Sequence, residues 1–183
     1  MNELKFSLIT AFVSKTKDRF HEYNEDKTLD QRLEIVSRMA EMTGVECIFP
    51  YETGRDPQEF KALRTKHKLR PAAINVNVKA EPEFRNGGLT SVVPAIRQRA
   101  VQFIKDSKDF ALAVGADKVT CCPLGDGYEF AFQSDYGQMW KLLTDTFGEA
   151  GYYRRELPLF IEYKPSETRG RCYLDTASKT LCL

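Results

Sequence analysis

The sequence has no excess of either charge: 27 lysines and arginines stand against 26 aspartates and glutamates. The basic residues are scattered among acids, so composition gives a nucleic-acid-binding surface no support. Long hydrophobic runs are missing too. Nothing approaches the roughly 20 consecutive apolar residues that span a bilayer, and the opening MNELKFSLITAFVSKTKDRF has neither the basic start nor the small-residue cleavage site of a secretory signal. The expectation is a cytoplasmic protein with no membrane partner. Cys47, Cys121, Cys122, Cys172 and Cys182 are odd in number and include no CxxC spacing. That argues against a disulfide framework or a zinc site and for reduced thiols in a reducing compartment. Cys121 and Cys122, adjacent inside an apolar run, are expected to serve as small core residues. Low-complexity segments and linkers are also lacking, so residues 1–183 read as a single domain.

What is present is alternation. KFSLITAFV (5–13) reads as a first strand, and TLDQRLEIVSRMAEM as a helix with Thr28 as N-cap and apolar residues at helical spacing. GVECIFPYE reads as the second strand, followed by the helix DPQEFKALRTKHK with Asp56 as cap and Pro57 at the first helical position. PAAINVNV is the third strand, and after the loop KAEPEFRNGGLT comes the long helix SVVPAIRQRAVQFIKDSKDFALAV, stopped by Gly115. ADKVTCCPL is the fourth strand, YGQMWKLLTDTFGEAGYYRRE the fourth helix, PLFIEYKP the fifth strand, and DTASKTLCL the start of another helix. Strand–helix units in this order predict a parallel sheet covered by helices, either doubly wound or a barrel. No glycine-rich dinucleotide fingerprint follows strand one, which lowers the doubly wound alternative. Each strand instead ends in a loop rich in polar side chains, as a TIM barrel requires at its catalytic face.

The fifth strand carries the most pointed chemistry. In LFIEYKPSETRG alternate residues share a face, so Phe160, Glu162 and Lys164 point together. Glu162 is then a hard oxygen ligand for a divalent cation and Lys164 a donor to a substrate oxygen; the alternative is a salt-bridged pair capping the strand. Asn75 and Asn77 share a face of strand three and are candidates for binding hydroxyl groups, or else amides facing a helix or solvent. Asp126 and Glu129, in the glycine-flanked loop GDGYEF, are candidates for ligand contact or members of a solvated turn. His21 lies in the first loop with Arg19 and Glu22, on the predicted active face, where an imidazole could serve as an acid or base. His67, before a strand, reads as a solvated helix-end residue.

The stretch IEYKPSETRG resembles the strand-five signature of the xylose-isomerase-like TIM barrels, a Glu-x-Lys-Pro-x-Glu pattern followed by a short turn. FRNGGLTSVVPAIRQRAVQFIKDSKDFALAVGADKV resembles the third loop, third helix and fourth strand of that family, and the two matches lie in order over about half the chain. The resemblance implies an α/β fold, a metal-dependent sugar isomerase or epimerase activity, a small-molecule sugar partner, and magnesium or manganese as cofactor. By it, Glu162 matches the metal-ligand glutamate of strand five. Lys164 matches the lysine that hydrogen-bonds the sugar oxygen beside the migrating hydrogen, and the Lys-Pro pair leans toward aldose–ketose isomerisation rather than epimerisation. Two departures stand out. IFPYETG has no histidine at the end of strand two, so either Glu52 substitutes or the substrate differs. A TIM barrel also takes about 250 residues, so the expectation is a partial (β/α)8 barrel of about five of eight units. Its first and fifth strands would be bare edges, through which copies could self-associate or a complementing fragment could dock.

Overall fold

A computed structural model describes residues 4–18, 20–167 and 169–183. Five strands, β1 (Phe6–Ile9), β2 (Met42–Phe49), β3 (Arg70–Val76), β4 (Val119–Cys121) and β5 (Leu159–Ile161), form one sheet in chain order. Every pairing is parallel, as right-handed crossover through helices produces. The helices are α1 (Leu29–Ser37), α2 (Pro57–Lys66), α3 (Pro94–Val114), α4 (Tyr136–Tyr152) and the short α5 (Ala177–Leu181). This is the expected partial barrel.

Local sequence sets most helix ends. Thr28 and Gln31 form a reciprocal capping box on α1, and the Asp56 side chain accepts from the Gln58 amide ahead of Pro57 in α2. Gly115 closes α3 in the left-handed region, at φ 74°, where a Cβ would be penalised. Strand ends are less faithful to expectation. β1 stops at Ile9, because Thr10–Val13 coil into a 3-10 turn whose Thr10 hydroxyl hydrogen-bonds Glu46 and Glu52. β5 stops at Ile161, well short of Pro165.

Alternation along the strands sorts the two faces. Val45, Cys47, Phe49, Ile74, Val76, Val119 and Cys121 are buried in the core beneath the helices, where Phe110 of α3 meets the rings of Phe49 and Phe60 at 5.3 and 5.6 Å. The opposite, inner face carries in register Ile48, Asn75, Thr120 and Phe160. Among the described residues no helix is long and apolar enough to cross a membrane. All five cysteines are free.

Candidate active site

The loops after the strands meet at one end of the sheet. Glu162 follows β5 directly, and its amide still donates to the Cys121 carbonyl at 2.9 Å, so the ladder runs one bond beyond the strand. Alternation from Phe160 therefore keeps Glu162 on the inner face. Lys164 has left the sheet: its amide donates to Leu174 O at 3.1 Å. The lysine is nevertheless beside the acid, with Nζ 3.8 Å from Glu162 Oε1 and 2.5 Å from Glu167 Oε2. Glu167, the second glutamate of the pattern, is thus its main partner. That hydrogen bond raises the Lys164 pKa against a smaller opposing effect of burial, so the group is a cation and a donor. The Glu162 side chain is 46% exposed and that of Lys164 34%, open enough for a ligand to reach both.

Cys122 adjoins this pair. Its thiol is pushed up to about 12 by burial first and then by the charge of Glu162, with Lys164 and Lys79 opposing. It is a protonated, weakly polar wall rather than a nucleophile. Among the described residues no three His, Cys, Asp or Glu side chains come together as a metal-binding group. The donor set is one carboxylate beside an ammonium, which is less than a divalent cation needs.

The other expected residues go to different places. Asn75 is on the inner face, its amide donating to Thr120 Oγ1 at 2.9 Å and Glu46 Oε1 at 3.1 Å. Asn77 lies past the end of β3, where its carbonyl accepts from the amides of Lys79 and Ala80 and shapes the turn. Asp126 is only 1% exposed, and its Oδ1 takes both the amide and the hydroxyl of Thr90 at 2.7 Å. It pins the loop before α3 to the loop after β4 from inside, where no ligand reaches it. Glu129 accepts from the Gly170 amide at 2.8 Å and lies 3.6 Å from Arg169, tying the β4 loop to the β5 loop. His21 sits exposed at the tip of a small ribbon pairing Thr16–Lys17 with Glu22–Tyr23, its ring against Tyr23 and its backbone closed onto Asp18. None of those contacts joins it to Glu162 or Lys164. Arg19 lies outside the described residues. Glu52 is engaged on both oxygens, by Arg32 on one and by Thr10 and the Ile48 amide on the other, so it locks β1, β2 and α1 together. His67 is largely covered and bonds Asp30 at 2.6 Å, a tie from α2 to α1 rather than a solvated end.

Sequence reasoning passed over Glu46. It lies in mid-strand between buried Val45 and Cys47, and therefore faces inward, where it accepts from both Asn75 and Thr120. The signal was there: one acid inside GVECIF, where a β-strand otherwise buries apolar side chains.

No family model matches the chain. In sequence it is 24% identical over 138 residues to the xylose isomerase of Thermus caldophilus, a match covering 73% of this chain and 36% of that protein. The chain is similar in sequence to xylose isomerases. Among solved structures it superposes on a D-allulose 3-epimerase from Methylomonas sp. with a TM-score of 0.65 and 14% identity, covering 84% of this chain and 51% of that one. An L-ribulose 3-epimerase matches with a TM-score of 0.64 and 16% identity over 98% of this chain and 56% of that one. The chain thus spans about a third of the length of the curated relative and about half that of the structural neighbours.

Proposed function

We propose that the chain supplies the strand-five corner of a sugar isomerase or epimerase site, acting on an open-chain sugar by aldose–ketose interconversion. The observation that carries this reading is the Glu162–Lys164 pair, side by side and reachable at the carboxyl end of β5. Moving a hydrogen between adjacent carbons builds negative charge on oxygen. Lys164, held as a cation by Glu167, would donate to that oxygen and stabilise the charge. A divalent cation, magnesium or manganese, would add Lewis-acid stabilisation when bound. Glu162 is the oxygen ligand this chain offers it. The other carboxylate beside the pair, Glu167, is taken up by Lys164, so the chemistry that follows from this geometry is that of Lys164. The same reading places the chain in the cytoplasm, in keeping with its free thiols.

Calorimetric titration of manganese into the protein and into Glu162→Ala tests the acid. The expected result is at least a tenfold loss of affinity in the variant, about 1.4 kcal/mol. Equal binding by both proteins, or none by either, removes Glu162 from the role. A second reading, a non-catalytic partial barrel that self-associates or takes up a complementing fragment, is favoured by the sheet edges. Among the described residues β1 pairs only with β2 and β5 only with β4.

A further inference from the structure

On the inner face, Glu46, Asn75 and Thr120 form a closed set of donors and acceptors. The Asn75 amide donates one hydrogen to Thr120 Oγ1 and the other to Glu46 Oε1, and the Thr120 hydroxyl donates to the same Oε1. Two of the three hydrogens are directed onto one carboxylate oxygen, and the third onto the hydroxyl that itself donates there. No hydrogen bond to Oε2 and no ion pair to Glu46 occurs among the described residues. An acid half-buried in a sheet without a cation is costly to fold, and hydrogen bonds to a single oxygen offset that only in part. The arrangement fixes the rotamer and leaves one acceptor oxygen oriented inward. Its neighbour across the row is Phe160, 54% exposed on the same face, with the Lys118 ammonium 5.3 Å from its ring. Two residues further along β5 and its extension comes the Glu162 level.

We infer that Glu46 is the hydroxyl acceptor in the floor of the sugar site, taking a hydrogen bond from a polyol through Oε2 while Asn75 and Thr120 hold Oε1. The sugar's hydroxyls meet the carboxylate and its C–H groups lie toward Phe160. Glu46 is then a specificity-determining residue for the number and placement of hydroxyls, and the inference rests on the sugar reading above. A site built to accept a hydroxyl hydrogen bond rejects analogues that lack it much more strongly than an apolar pocket rejects a methylene.

The test is ligand-observed NMR titration with D-xylose, D-fructose and xylitol on the protein, Glu46→Gln, Thr120→Val and Lys164→Met. Circular dichroism melts establish that each variant folds. Expected are a tenfold or greater loss of affinity in Glu46→Gln and a smaller loss in Thr120→Val, where the acid keeps its charge but loses one of its tethers. If Glu46→Gln binds like the parent while Lys164→Met does not, the inference fails and the sugar reading stands. If the parent binds none of the three, the inference is overturned, and the role of Glu162 is still decided by its own manganese titration.

Discussion

Asp126 shows how one side chain can be conspicuous in sequence for a reason other than the one it suggests. Burial raises its carboxyl pKa above the ordinary 3.8, against the lowering effect of the Thr90 hydrogen bonds, and its Oδ2 has no partner. A carboxyl whose folded-state pKa exceeds its unfolded value contributes stability that is complete below the unfolded pKa and is lost as pH rises through the folded one. Asp126→Asn keeps the acceptor for Thr90 and removes the charge. Thermal melts from about pH 4 upward, beginning near the reference carboxylate value, should show the variant gaining on the parent as pH rises. A constant offset across that range would mean that Asp126 does not titrate between the two states.

The residue scale also shows what the sequence could and could not disclose about the site. Glu162 was legible from period-two alternation, while Lys164, already off the sheet, lies beside it through the loop that also brings Glu167. Glu129, Asn77 and Asp126 were not separable by the same logic. A polar residue in a loop can face a ligand, close a turn or pin two loops, and only the partner decides which. Glu52 is the clearest case: its partners come from Arg32, Thr10 and Ile48, on three elements.

At the scale of elements, α4 depends on a residue from α3. Lys108 is fully buried, and its ammonium donates to the carbonyls of Gly151 and Tyr153 at 3.0 and 2.7 Å, at the end of α4 where carbonyls lack intrahelical partners. A cation there also meets the negative end of the helix dipole. Desolvation lowers the lysine's pKa, with Glu156 opposing, which is the cost of the burial that brings it to those carbonyls. Lys108→Met should lower stability by about 2 kcal/mol, the range for a hydrogen bond to a charged group. Urea denaturation reads the loss, and hydrogen exchange should speed selectively in the last turn of α4; uniform exchange would deny the cap. Sequence patterns placed the helix starts well, since Thr28 with Gln31 and Asp56 with Pro57 carry their own local partners. They overran β1 and β5, because Thr10 and Lys164 are drawn off by residues distant in sequence or by the following loop.

At the scale of the sheet, β1 and β5 are paired on one side only among the described residues, and Phe6 and Phe160 are about half exposed. Unpaired parallel edges with apolar side chains are templates for further pairing. Sedimentation velocity should show association that grows with concentration, weakened by Phe160→Lys, which places a charge at the β5 edge. A monomer at all concentrations would count against the self-associating reading and leave the enzymatic one untouched.

A two-residue ribbon has a wider effect than its size suggests. Gly127–Tyr128 pairs antiparallel with Arg171–Cys172, and a Cβ at Gly127 would come within 2.2 Å of the Arg171 carbonyl. Two chain segments cross so closely that they behave as a hinge pin, joining the loop after β4 to the loop that carries Lys164 and Glu167. The two then share one degree of freedom. Whatever moves the lysine toward or away from a bound molecule must swing the wall formed by residues 124–129 with it.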